Sequence, residues 1–303
     1  MKDKVLIIGA SGFLGRKLMP LFSSFSSKYE VIGTSNSSIQ EGTLTVDITN
    51  PQQVQTAIEK VNPNIIILTA ALANMDRCET ERDLAARINV TGVENVVRYC
   101  QNRLLVFYST DAVFDGLKGN YRENDPVNPM NFYAQTKLQG ENLVKTLPDY
   151  LLLRTCMQYT DQKESPKFIP WLIRNLSQGK TVNVATDHII TITFIDDLAK
   201  ATLQLIQKKC RGIYHVAGGS ALSCYDMAIY IAQKWGFDKS LIHPVTRAQL
   251  PWKAARAEKA TLNISKLRKE GISMLTFEQG MEKLWESSRG RNLGFKPATN
   301  VYK

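Results

Sequence analysis

The feature that most constrains this chain stands near its start. Lys4 opens the run Val5-Leu6-Ile7-Ile8, and Gly9-Ala10-Ser11-Gly12-Phe13-Leu14-Gly15 follows, leading into Arg16-Lys17-Leu18-Met19. The apolar run is short, β-branched and unbroken, the pattern of a parallel strand buried on both faces. Strand, glycine-rich turn and helix in that order make a phosphate cradle. Gly9 and Gly12 permit a tight turn and close approach to a pyrophosphate, and Gly15 lets the helix lie against the strand. The helix N-terminus adds free N–H groups and a positive dipole end. The spacing is G-x-x-G-x-x-G rather than G-x-G-x-x-G, and glycines also serve ordinary turns. The flanking strand and amphipathic helix carry the dinucleotide reading.

Later segments repeat the alternation. Tyr29–Thr34 reads as a second strand, Leu44–Asp47 as a third, Asn64–Thr69 as a fourth, Leu104–Tyr108 as a fifth and Tyr150–Thr155 as a sixth. Helices are expected over Gly12–Ser24, Gln52–Lys60 behind Thr49-Asn50-Pro51, Ala85–Gln101, and from Tyr133 through Val144. Alternating β and α elements predict an α/β fold, a doubly wound parallel sheet with right-handed crossovers. Past Thr155 the rhythm weakens. Helices are expected over Phe168–Gln178, Leu198–Lys208 capped by Asp196-Asp197, Tyr225–Gly236 and Thr276–Trp285, with short strands at Thr181–Val184, Ile189–Thr193 and Gly212–Val216. The expected division is a dinucleotide-binding domain over 1–155, open to further strands from later residues, then a smaller C-terminal α/β substrate lobe over 156–286. A tail over 287–303 shows no pattern.

Composition narrows the function classes. No stretch among the 303 residues is long and apolar enough for a bilayer span. With a strand expected from Lys4, no signal peptide is expected. The five cysteines, Cys78, Cys100, Cys156, Cys210 and Cys224, are scattered without a C-x-x-C, which suits reduced thiols in a cytoplasm. His188, His215 and His243 do not cluster with them, so no metal site is expected. The net charge is +10, and Pro251–Lys303 holds 11 Lys and Arg against 5 Asp and Glu. A basic surface can meet nucleic acid, yet no nucleic-acid motif appears and the basic residues mix with Glu. A small anionic ligand is the preferred reading.

An NAD-specific site places an acid after the second strand. Here Thr34-Ser35-Asn36-Ser37-Ser38 follows, and no acid comes before Glu41. Hydroxyls such as Ser35, with Arg16 nearby, suit the 2′-phosphate of NADP(H); a polar loop touching nothing is the alternative, and NAD(H) stays open. Ala70-Ala71 at the end of the fourth strand leaves room for a cofactor across the sheet.

Tyr133 and Lys137 stand one helical turn apart, on one face. A neighbouring ammonium favours the phenolate, so Lys137 is expected to depress the phenol's pKa and make it a usable acid. Thr110 or Ser109, ending the fifth strand, can bind the same carbonyl oxygen. Tyr-x-x-x-Lys alone is also an ordinary amphipathic pair; the order glycine turn, Ser-Thr strand end, Tyr-x-x-x-Lys gives it meaning.

With these motifs the chain resembles the extended short-chain dehydrogenase/reductases, in particular the dTDP-4-dehydrorhamnose reductase branch, whose relatives include the regulatory beta subunit of methionine adenosyltransferase. Further carriers are Asp47-Ile48-Thr49, Asp76 with Cys78-Glu79, Ile88-Asn89-Val90-Thr91-Gly92, Ser109-Thr110-Asp111 with Val113-Phe114-Asp115-Gly116, Asp197-Leu198-Ala199 and Ala255-Arg256. The resemblance implies a Rossmann-type fold with Thr110, Tyr133 and Lys137 as the catalytic set. It implies Gly9, Ser11, Gly12, Phe13, Leu14 and Gly15 at the pyrophosphate, Asp47 and Ile48 at the adenine, and Thr69, Ala70 and Ala71 at the ribose and nicotinamide. Asp111, Phe114 and Arg256 would lie near the substrate.

Departures fall on the substrate side. Cys156-Met157 replaces the branch's usual Ser-Trp, Asp187-His188-Ile189-Ile190-Thr191-Ile192-Thr193 replaces Asp-Gln-x-Gly-x-Pro-Thr, Thr69 stands for Asn, and Ala257 for Pro. Met157 and His188 are therefore expected to line and alter the substrate pocket, with Met157 as plain core the alternative. The implied activity is reduction of the 4-keto group of a nucleotide-activated deoxysugar. A non-catalytic NADP-binding regulatory subunit and a sugar-nucleotide epimerase are the rivals; Ala112, where dehydratases carry Glu, disfavours dehydration. The expected partner is the nucleotide sugar, with neither nucleic acid nor membrane, and a homodimer as the assembly to test.

Overall fold

Side chains alternate across the first strand, and that alternation builds the layers. In the computed structural model, which describes residues 2–36, 43–160 and 165–290, Asp3–Ile8 forms β1. Val5 and Ile7 enter one apolar core, Leu6 and Ile8 a second on the opposite face. Both cores need a helical cover, which the crossovers supply. The chain continues through α1 (Gly15–Ser23), β2 (Tyr29–Ser35), β3 (Thr43–Thr45), α2 (Pro51–Val61) and β4 (Ile65–Leu68). The short helices α3 (Met75–Thr80) and α4 (Arg82–Ala86) follow, then α5 (Gly92–Tyr99), β5 (Leu104–Thr110), α6 (Phe132–Val144) and β6 (Tyr150–Thr155).

The later chain supplies β7 (Gln158–Tyr159), α7 (Phe168–Ser177), β8 (Val182–Ala185), β9 (Ile189–Ile190), β10 (Thr193–Phe194), α8 (Ile195–Gln207) and β11 (Gly212–His215). Then come β12 (Leu222–Ser223), α9 (Cys224–Trp235), β13 (Ile242–Val245), β14 (Lys259–Ala260), α10 (Ser265–Lys269) and α11 (Phe277–Gly290). The central sheet has seven strands in the order β11-β6-β5-β4-β1-β2-β3, parallel throughout. Strand order reverses between β1 and β4, which opens a crevice at their carboxyl ends. The chain thus returns to the main sheet after residue 156 through α8 and β11. Small sheets, β8 with β13 and β9 between β12 and β14, build the lobe above the crevice.

Several local readings are corrected. The first helix begins at Gly15, since Gly12 belongs to the turn. The expected Ala85–Gln101 helix is interrupted by a widened π-helical turn over Arg87–Thr91. Asn89, within that turn, grips Leu72: Oδ1 accepts from Leu72 N at 2.9 Å, and Nδ2 donates to Leu72 O at 3.1 Å and to Thr136 Oγ1 at 3.1 Å. Such bulges recur where a helix serves a site. Asp196 and Asp197 sit in the first turn of α8 rather than capping it; Asp197 Oδ2 accepts from Leu275 N at 2.9 Å. The last helix runs on to Gly290, and the rest of the expected tail lies outside the described residues.

α6 is fixed at both ends. Asn131 caps it, Oδ1 accepting from Ala134 N at 2.9 Å, while Nδ2 donates to Ala255 O at 2.9 Å. Near its far end Glu141, fully buried, receives Arg154 Nε at 2.9 Å and Nη2 at 2.7 Å. Arg154 is 2% exposed on β6. Glu141→Ala strands that guanidinium, and losing one member of a buried pair costs about 3–5 kcal/mol. Urea denaturation should show a loss of that size; an unchanged midpoint would contradict the assignment.

Candidate active site

Two clefts meet where the carboxyl ends of β1, β4 and β5 face the later lobe. The first encloses about 410 Å³ and is lined by Gly9, Ser11, Gly12, Phe13 and Leu14 from the glycine turn, then Ser35, Asp47, Ile48, Thr69, Ala70, Ala71, Tyr133 and Lys137. The second, about 360 Å³, is lined by Asp76, Thr110, Asp111, Tyr133, Cys156, Met157, His188 and Arg256. Tyr133 lies on both.

The turn is built for close approach. Gly9 has φ +92°, and a Cβ there would lie 2.7 Å from Thr69 Oγ1 and 2.8 Å from Ala70 N. A Cβ on Gly15 would lie 2.3 Å from Gly9 O, so neither position accepts a side chain. The Thr69 hydroxyl shares its proton between Ile8 O at 2.9 Å and Gly9 O at 3.0 Å, a strut from β4 under the turn. The α1 N-cap, Leu14, offers no capping side chain, which leaves that helix end to an anion. Arg16 is exposed, its Nε donating to Ser11 O at 2.7 Å, and it is not among the cleft-lining residues. Ser37, Ser38 and Glu41 lie outside the described residues. Asp47 Oδ1 accepts from Thr49 N at 2.9 Å and Thr49 Oγ1 at 2.8 Å, and Asn95 Nδ2 donates to Ile48 O at 2.9 Å.

Thr110 ends β5. Its hydroxyl donates to Asp111 Oδ1 at 2.8 Å and accepts from Ala112 N at 3.1 Å. Asp111 Oδ2 accepts from Cys156 Sγ at 2.9 Å. The expected depression of the Tyr133 pKa is not what this geometry gives. Burial, then the Asp111 carboxylate and Cys78, push the phenol well above its ordinary value, and only the Thr110 hydroxyl opposes them. Lys137 sits with Nζ 4.0 Å from the centroid of the Phe107 ring. Burial lowers its pKa to about 7, partly offset by Glu141. Desolvation disfavours both charged forms.

Phe114 is a further correction. It is buried, stacked on Tyr121 at 4.3 Å with the Arg154 guanidinium 5.0 Å from its ring centroid, and it does not line the substrate-side cleft. Met157 and His188 do line it. His188 Nδ1 donates to Ala257 O at 2.8 Å, and burial lowers its pKa to about 4, so the ring is neutral near pH 7. Arg256 Nη2 pairs with Asp76 Oδ1 at 3.1 Å, and Asp76 also accepts from Lys253 N at 3.0 Å and Ala254 N at 2.9 Å. Sequence reasoning missed Asn131, Gln158 and Lys167 as lining residues; the Asn before the Phe-Tyr helix start was the one available signal. Among the described residues no group of three or more His, Cys, Asp or Glu could hold a metal ion, and no helix is long and apolar enough to cross a membrane.

Comparisons with known proteins identify the family. The family described as the RmlD substrate binding domain matches residues 2–289. A dTDP-4-dehydrorhamnose reductase of Aggregatibacter actinomycetemcomitans is 32% identical over 93% of this chain and 98% of its own length. The beta subunit of methionine adenosyltransferase 2 of Xenopus laevis is 29% identical over 93% of this chain and 87% of its own. A Bacillus anthracis dTDP-4-dehydrorhamnose reductase, solved in complex with NADP, superposes with a TM-score of 0.85 at 30% identity, over 95% of this chain and 100% of that one.

The Lys137 environment makes a signed prediction. Its folded pKa of about 7 lies below the unfolded value near 10.5, so between these the unfolded state holds more protons and stability rises with pH. The penalty is full below about pH 7 and fades toward pH ~10. Lys137→Met should therefore stabilise the ligand-free protein near pH 7 by on the order of a few kcal/mol, with the gap to wild type closing by pH ~10. Denaturation curves across that range test it; a gap independent of pH would contradict it.

Proposed function

The chain belongs to the RmlD substrate binding domain family, and from that membership we propose that it is an NADPH-dependent reductase of the 4-keto group of a nucleotide-activated deoxysugar, dTDP-4-dehydrorhamnose or a close analogue. The carrying observation is the position of Tyr133, on the border between the cleft lined by the glycine turn and a second cleft, with the Thr110 hydroxyl beside it and Lys137 one turn on. Glycines that leave room for a pyrophosphate, and an uncapped helix end, fit the dinucleotide.

In this reading the glycine turn holds the pyrophosphate, Asp47 and Ile48 border the adenine, and Thr69 to Ala71 border the ribose and nicotinamide. NADPH, when bound, supplies the hydride. Tyr133 gives its phenolic proton to the carbonyl oxygen, and its raised pKa keeps that proton in place at neutral pH. Thr110 hydrogen-bonds the same oxygen, and Lys137 holds the ribose. Asp111, Met157, His188 and Arg256 border the sugar nucleotide. NADPH is favoured over NADH because Ser35 and Asn36, neither of them acidic, line the cleft at the end of β2. Five buried free cysteines suit a cytoplasmic setting.

The similarity to methionine adenosyltransferase beta subunits supports a second reading, a cofactor-binding regulatory subunit. Tyr133→Phe separates them. It removes one oxygen, so folding and NADPH affinity should survive, while 4-ketosugar-dependent NADPH oxidation falls about 10²–10⁴-fold. No oxidation by wild-type protein across a panel of nucleotide 4-ketosugars would favour the regulatory reading. Activity without net NADPH consumption would favour an epimerase.

A further inference from the structure

The two clefts share few lining residues: Ala73, Ser109, Tyr133, Thr155, Gln158 and Lys167. Lys167 is the cation among them. Its Nζ lies 5.3 Å from the centroid of the Phe13 ring, on the glycine turn itself. The other cations of the clefts are already engaged. Arg256 is paired with Asp76, and Lys137 lies over Phe107 above the buried Glu141. Lys167 has no carboxylate partner among the described residues, and burial holds its pKa below the ordinary lysine value. An ammonium withdrawn from water without a counter-charge is costly, and an anionic ligand repays that cost.

We propose that the Lys167 ammonium binds a phosphate oxygen of a diphosphate ester at the junction of the two clefts. This inference rests on the reading of those clefts as dinucleotide and nucleotide-sugar sites, and both ligands carry such a diphosphate. Phe13, under the ammonium, belongs to the pyrophosphate-facing turn, while Pro166 and Phe168, on either side of Lys167 in the chain, line the substrate-side cleft. Lys167 therefore reaches a region where either diphosphate can be met, and a point charge on a flexible stem suits that task.

Calorimetry on wild type, Lys167→Met and Lys167→Arg, with NADPH and separately with dTDP, tests this. Lys167→Met should weaken at least one ligand about tenfold or more, the scale of a charged hydrogen bond, and flatten its salt dependence. Lys167→Arg should keep most of the affinity. A loss confined to NADPH assigns the contact to the cofactor; one confined to dTDP assigns it to the substrate. Melting of the ligand-free variants near the wild-type temperature shows that the losses are not unfolding. If Lys167→Met binds both ligands within about twofold of wild type, the proposal is overturned. If dTDP fails to bind wild type, the nucleotide-sugar reading falls, and the NADPH titration alone decides on Lys167.

Discussion

The buried pair between Glu141 and Arg154 is the interaction on which the site depends. Tyr133, Lys137 and Glu141 fall at successive turns on one face of α6. Arg154 clamps the last of them to β6 through two short hydrogen bonds, so the rotation of the helix about its axis is set from below. Tyr133 and Lys137 must then face the carboxyl ends of the strands. The clamp extends further: Arg154 Nη1 donates to Glu123 O at 3.2 Å, and the Glu123 side chain accepts from His215 N at 3.1 Å. β6, β11 and the loop before α6 are thereby tied together. Burying such a pair is expensive, and its return is fixed geometry as much as stability.

Burial sets the chemistry above that clamp. It raises the phenol and lowers the ammonium, so near neutrality Tyr133 holds its proton and Lys137 is close to half charged. The dry surroundings that impose these shifts also strengthen every electrostatic contact made there. The same reasoning singles out Lys167, a half-buried ammonium beside the turn.

What could be read in the sequence was what geometry enforces locally. Gly9 and Gly15 are legible because a Cβ cannot fit there. The central strands are legible because two-sided burial demands unbroken apolar runs, and Tyr133 with Lys137 because one turn separates them. Long-range circumstances were not legible. Phe114 is as suited to a pocket wall as to the core, and only packing on Tyr121 and Arg154 decides. The turn at Asn89 is widened by its grip on Leu72, a partner 17 residues away. Lys137 looked like the phenol's charge partner by spacing, whereas its ring contact with Phe107 and its burial are tertiary facts. Lys167 resembles any other lysine until the two clefts are seen to meet beside it.

The central claim is direct hydride delivery to a sugar carbonyl at Tyr133. The most direct measurement uses NADPH stereospecifically deuterated at the nicotinamide C4, incubated with the protein and dTDP-4-dehydrorhamnose, with the product read by mass spectrometry and NMR. The account predicts one deuterium, bound to C4 of the sugar, matched one for one by NADPH oxidised, with the label arising from one face of the nicotinamide. Absence of deuterium in the product whichever face of the nicotinamide carries the label, or its appearance at another sugar carbon, would contradict it.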